Sequence, residues 1–216
     1  MIGRSWLLGV LVVLGLSFLA TGGSAQTVPG EGAIQAQNAD SYSGCRAVQL
    51  GDSIMAANTR PLAGHSVVNE AIHGDTAADV LTLQVPQLQF DLAHPCDVVI
   101  LWVGTNDWGA IYNGSETLAQ FQATYQAVVS AILEFIPASR LLIITSPCGT
   151  TGTQIGVVIQ AEIQIAQANN VSTVWAHQYM GCPGIVADFM WDGGHPATPG
   201  WQALNPALDS AVSQLH

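Results

Sequence analysis

Short apolar runs alternate along this chain with longer stretches in which apolar residues recur every three or four positions. Arg46 to Gly51, Ser66 to Asn69, Asp97 to Val103, Leu141 to Thr145 and Val171 to Trp175 read as strands, and Asp97 to Val103 holds a continuous apolar run. Such runs predict strands buried on both faces, the habit of parallel sheets. The stretch through Val98-Val99-Ile100-Leu101-Trp102-Val103 is the strongest of them. Thr76 to Phe90 has helical spacing at Val80, Leu81, Leu83, Val85 and Leu88, with Thr76 as its cap and Pro86 expected to kink or end it. Leu118 to Ile136 places Leu118, Phe121, Tyr125, Val128, Val129, Ile132 and Phe135 on one face of a long helix. Gly156 to Asn169 and Pro199 to Leu215 complete the helices, and Ala56 to Gly64 reads as loop or short helix. Strands alternating with helices predict an α/β doubly wound parallel sheet, and five strands fit a flavodoxin-like order 2-1-3-4-5.

The amino-terminal segment stands outside this pattern. Arg4, the apolar stretch Trp6 to Ala20 and Gly23-Ser24-Ala25 before Gln26 have the layout of a secretion signal with a small-residue cleavage site. A membrane anchor is the competing reading, but the apolar stretch is short of the roughly 20 residues that a span needs. No cysteine near the cleavage site offers a lipid anchor. The expected organisation is a signal peptide over 1–25, a flexible lead-in over 26–44 rich in Gly, Ala, Gln, Ser and Asn, and one domain over 45–216. The protein is expected to act in the extracellular or periplasmic space, without a stable membrane anchor.

Fifteen acidic residues face four arginines and no lysine, giving a formal charge of −11, or about −12 once Arg4 is removed. A chain so acidic should not hold nucleic acid or an anionic membrane by charge; neutral or cationic substrates suit it. The missing lysine excludes a P-loop, a pyridoxal Schiff base and a Ser-Lys dyad. Four cysteines in an exported chain predict two disulfides, with three possible pairings. Cys45 and Cys96 each precede a predicted strand, and Cys148 and Cys182 each follow one. Parallel neighbours would therefore give Cys45–Cys96 at one end of the sheet and Cys148–Cys182 at the other. No CxxC pair or His-rich cluster accompanies them, and no metal is expected.

Four short segments carry the candidate chemistry: Gly51-Asp52-Ser53-Ile54, His73-Gly74-Asp75-Thr76, Gly104-Thr105-Asn106-Asp107 and Asp192-Gly193-Gly194-His195-Pro196. Each alone is weak. Gly-Asp-Ser recurs in loops, a lone histidine is commonly a surface residue, Gly74 suits any turn and Asn106 any loop cap. Together they fall at the carboxyl ends of predicted strands or just before the final helix, where open α/β sheets bind ligands. They supply the parts that acyl transfer needs. Ser53 is the candidate nucleophile, His195 the base, and Asp192, three residues earlier, the carboxylate that orients the imidazole. The backbone N–H groups of Ser53 and Gly74 and the side-chain amide of Asn106 are the candidate oxyanion donors; Gly74 has no side chain to hold a substrate oxygen away. Trp108 and Trp191 flank these segments as candidate pocket walls, with ordinary packing an equal alternative, while Trp102 in its strand reads as core.

On these blocks the sequence resembles the SGNH (GDSL) hydrolase family, whose four letters fall on Ser53, Gly74, Asn106 and His195. The resemblance runs from about Arg46 to the C-terminus. It implies a three-layer α/β/α fold that hydrolyses esters or thioesters without a metal or organic cofactor. Ala71 stands where many members have glycine, His73 where many have serine, and Ala197 where many have asparagine. His73 is therefore a further candidate for touching the substrate. The α/β-hydrolase elbow Gly-x-Ser-x-Gly is absent, since Gly64-His65-Ser66 continues into Val67-Val68, and no HExxH occurs. Asn113-Gly-Ser and Asn170-Val-Ser are glycosylation sequons, meaningful only in a eukaryotic host. The expectation is a secreted serine esterase acting on acetyl esters of carbohydrates or on short-chain esters. Its rivals are a lysophospholipase or thioesterase of the same family and a non-catalytic carbohydrate-binding module on this fold. The filled catalytic positions disfavour the binding module.

Overall fold

The computed structural model describes residues 44–148, 155–180 and 194–215. The expected signal peptide, nearly all of the lead-in, and Cys182, Trp191 and Asp192 lie outside the described residues. Five strands form one parallel sheet: β1 (Arg46–Gly51), β2 (Ser66–Asn69), β3 (Val98–Trp102), β4 (Leu141–Ile144) and β5 (Ser172–Val174). Their order is β2-β1-β3-β4-β5, the flavodoxin-like arrangement. β1 and β3 pair in register from Ala47↔Val98 to Gly51↔Trp102.

The continuous apolar runs are explained by a two-residue pleat feeding two cores. Val48, Leu50, Val99, Leu101, Leu141 and Ile143 face one cluster, beneath α5 (Leu118–Leu133) and α6 (Gly156–Ala168). Ala47, Val98, Ile100, Trp102, Leu142 and Ile144 face the other, beneath α1 (Ser53–Ala56), α7 (Ala176–Tyr179) and α8 (Thr198–Val212). Helices thus cover both faces of the sheet, giving the three-layer arrangement.

The helix expected over Thr76 to Phe90 is broken into four pieces. Thr76 caps α2 (Ala77–Asp79) through a capping box with Asp79. A π-helical turn, Val80–Gln84, and a 3₁₀ turn, Val85–Gln87, lead into α3 (Leu88–Asp91). Pro86 is absorbed in the 3₁₀ turn and the helix resumes beyond it. Val80, Gln84 and Leu88 are each four residues apart and share the buried face, with Leu83 to its side. Leu83, expected to face the core, is 52% exposed, and Gln84 takes the buried place at 1%. Phe135, expected on the apolar face of α5, lies past the end of that helix and is exposed; Ile136 is buried instead. A further helix, α4 (Thr105–Asn113), follows β3, and left-handed Gly114 terminates it.

The amino edge of the sheet is tied down. Cys45 and Cys96, just before β1 and β3, form a disulfide with their Cα atoms 5.3 Å apart. Between those strand starts the Arg46 N–H donates to Asp97 at 2.7 Å. Cys148 is also disulfide-bonded. Among the described residues no helix is long and apolar enough to cross a membrane.

Candidate active site

The opposite, carboxyl edge begins at Gly51. Its φ of +154° is one that side chains rarely adopt, and a Cβ here would strike the carbonyl oxygen of Trp102. Glycine thus lets β1 end in close contact with β3. The Asp52 N–H donates to that same Trp102 oxygen at 3.2 Å. The Asp52 carboxylate then caps α1 by accepting from the Ile54 N–H at 2.9 Å. Ser53 is therefore the first residue of α1, where the backbone N–H has no partner within the helix.

His195 comes from the other end of the chain. Its Nε2 lies 2.7 Å from the Ser53 Oγ across 142 residues of sequence, a hydrogen-bonded hydroxyl–imidazole pair. The helix that follows, α8, holds this ring in place. Leu204, Leu208 and Val212 sit in the second core. The Trp201 ring meets Trp102 edge-on at 5.7 Å. Arg60 pairs with Asp209 at 3.0 Å.

The third segment is threaded alongside β1. Beyond β2 the Glu70 N–H donates to Gln49 at 2.9 Å and the Ile72 N–H to Gly51 at 3.1 Å, so the ladder continues to the edge. The Asn69 amide donates to the carbonyls of Met55, Ala56 and Asn58, closing the carboxyl end of α1. Gly74 then takes a φ of +88°. A Cβ there would meet nothing within 4 Å, so the backbone conformation and not crowding asks for glycine.

Asn106, in the first turn of α4, donates its Nδ2 to the Asp75 carbonyl at 2.8 Å. That bond uses one of the amide's two donors. Both carboxylate oxygens of the neighbouring Asp107 accept from the Ala77 N–H, at 3.0 and 3.1 Å, which fastens α4 to the start of α2. The loop of Gly74 and the helix of Asn106 are thereby bound to each other.

Beneath these loops lie three buried carboxyl groups, each pushed up mainly by burial. Asp52 reaches about 6 against the opposing pull of the Ile54 amide and the His195 ring. Asp107 reaches about 7 despite the Ala77 amide. Glu162 on α6 reaches about 8, although the Ser146 hydroxyl and amide donate to it at 2.6 and 2.8 Å. The floor of the site is thus less negative near neutrality than its composition implies.

Of the other candidates, His73 is exposed on the Gly74 loop. Trp108 is half-buried; it packs on the first core and its ring lies 5.6 Å from that of Tyr112. Sequence reasoning did not single out Asn69, Gln84 or Asp107 for the site. A polar residue at a buried helical phase, as at Gln84, is the signal that points to one of them.

A hydroxyl and an imidazole in proton-sharing contact at the carboxyl edge of a five-stranded parallel sheet are the features of a hydrolase built on a doubly wound sheet. The sequence matches the GDSL-like lipase/acylhydrolase family over residues 35–207, and the chain belongs to that family; it is a carboxylic ester hydrolase. Its fold is similar to that of a lipase/acylhydrolase from Enterococcus faecalis, with a TM-score of 0.61 and 20% identity over 79% of this chain and 97% of that one. It is similar to a GDSL-like lipase from Bacteroides thetaiotaomicron, with a TM-score of 0.60 and 19% identity over 78% of this chain and 87% of that one. An acetylxylan esterase from Geobacillus stearothermophilus gives a TM-score of 0.58 and 19% identity over 79% and 94% of the two chains. Forms of that esterase with a serine or an aspartate replaced are described as catalytic mutants. No curated protein matches the chain in sequence.

Proposed function

We propose that this chain is an exported serine esterase that removes small acyl groups, from acetylated carbohydrates or short-chain esters, through an acyl-enzyme on Ser53. The observation that carries the reading is the 2.7 Å contact between Ser53 Oγ and His195 Nε2. His195 takes the hydroxyl proton as Oγ attacks the ester carbonyl carbon, and the carbonyl electron pair moves onto oxygen. The N–H groups of Ser53 and Gly74 and the Asn106 amide stabilise that oxyanion. Collapse breaks the bond to the alcohol, which leaves with the proton from His195. Water then repeats the sequence and frees the acid. Asp192 orients the imidazole and stabilises its charged form.

Support for the substrate class is the formal charge of −11, which a neutral sugar ester does not oppose, and the fold shared with an acetylxylan esterase. Export is supported by the amino-terminal leader pattern and the disulfide. A panel of p-nitrophenyl esters tests the reading. Turnover is expected to be fastest on acetate and to fall with chain length, and Ser53→Ala to lose at least about 10⁴-fold in kcat. A preference for long chains would favour the lysophospholipase or thioesterase reading. Full activity in Ser53→Ala would overturn the mechanism.

A further inference from the structure

Resting on that esterase reading, we infer that Gln84, on the π-helical turn, is a positioning residue that locks the loop of Ser53 to the oxyanion loop. Its amide is fully buried. Oε1 accepts from the Gly51 N–H at 2.7 Å, and Nε2 donates to the Gly51 carbonyl at 2.8 Å. A side chain here imitates a strand neighbour, accepting from the N–H of the residue two before Ser53 and giving its carbonyl a second donor beside the Ile72 N–H. Nε2 also donates to the Asp75 Oδ2 at 2.8 Å. The Asp75 carbonyl in turn receives the Asn106 amide at 2.8 Å. One side chain thus joins the nucleophile's turn to the residue that follows Gly74 and anchors Asn106. Its position brings it inward: Gln84 lies four residues from Val80 and four from Leu88, both buried, so it shares their face while Leu83 is turned outward.

Only an amide supplies one acceptor and two donors at this reach. Gln84→Glu keeps the acceptor for the Gly51 N–H, loses both donors and sets a carboxylate against Asp75. An oxyanion site displaced by this loss stabilises the transition state less while still binding the ester.

The test measures kcat and KM on p-nitrophenyl acetate for wild type, Ser53→Ala, Gln84→Glu and Gln84→Glu/Asp75→Asn between pH 5.5 and 8. At pH 8, kcat of Gln84→Glu should fall by roughly 30–100-fold with KM within about twofold. The ratio of its kcat to that of wild type should rise by about tenfold toward pH 5.5, as the introduced carboxyl group gains a proton and donates again. In the double variant, the amide introduced at position 75 donates to the carboxylate introduced at position 84, which restores the link between the loops, while the Gly51 carbonyl keeps the Ile72 N–H as its donor. This variant should regain most of kcat at pH 8 and lose that pH dependence; it also lacks the carboxylate clash, so it serves alone if the single variant does not fold. An active wild type with Gln84→Glu within threefold of it, a loss confined to KM, a ratio flat with pH, or a double variant still about 30-fold down would each overturn the inference and leave the esterase reading standing. A wild type as inactive as Ser53→Ala would instead remove the reading on which the inference rests.

Discussion

Replacing Gly51 by alanine would drive a methyl group into the Trp102 carbonyl oxygen and demand a φ that alanine rarely adopts. The expected cost is roughly 3 kcal/mol or more, seen as a lowered urea midpoint or a failure to accumulate folded protein. A wild-type midpoint would show that β1 and β3 do not need this close approach. Asn106→Ala isolates a different kind of contribution. The amide is a proposed oxyanion donor and also donates to the Asp75 carbonyl, so kcat should fall about 10²–10³-fold while stability falls only by the roughly 1 kcal/mol of one hydrogen bond. An unchanged kcat would remove Asn106 from the site. Ser53 and His195, which the fold brings into contact, were legible as a candidate pair because each stands in a short Gly- or Asp-bearing segment beside a strand end or helix start. Asp107 and Gln84 had no part in that reading: the helical phase of Gln84 marks it as buried, but the sequence does not show which backbone groups either side chain would meet.

At the scale of elements, the strands were legible because their runs are apolar on both faces, which only a sheet covered on both sides requires. The four-helix pattern was legible in outline. The π-helical turn at Val80–Gln84 was not, since nothing in Leu81-Thr82-Leu83 marks a wider turn. α4 escaped for a different reason: its apolar stripe is short, Trp108, Ile111 and Tyr112, and its buried residue is the polar Asp107. The two edges of the sheet make a separable prediction. The disulfide between Cys45 and Cys96, 51 residues apart, staples the amino edge, while the candidate site lies at the carboxyl edge. Cys45→Ala/Cys96→Ala should lose about 4 kcal/mol on the loop-entropy model, measured by urea unfolding. Its kcat well below the melting temperature should match that of wild type. A reduced kcat in the folded variant would show that the amino edge shapes the site.

At the scale of the whole molecule, burial of Asp52, Asp107 and Glu162 sets how stability depends on pH. Burial raises each of them, to about 6, 7 and 8, so each binds its proton more tightly in the folded chain than in the unfolded one. Their contribution to stability is therefore complete in acid, below the usual carboxylate range, and is lost as pH rises through those values. The Asp79 carboxyl, held low by the Thr76 hydroxyl and N–H at the start of α2, acts in the opposite sense, adding stability as pH rises through the usual carboxylate range, below those values. The melting temperature is expected to fall between pH 5 and 8.5. Glu162→Gln should flatten the upper part of that fall, since an amide can still donate to the Ser146 hydroxyl and accept from its N–H. A melting temperature that rises across this range would contradict the assignment. The central claim also belongs to this scale: folding brings a hydroxyl and an imidazole 142 residues apart into proton-sharing contact. Its most direct test is peptide mapping after treatment with a fluorophosphonate. The account predicts a single adduct on Ser53, formed far more slowly in His195→Ala. An adduct elsewhere, or labelling of Ser53 indifferent to the loss of His195, would contradict it.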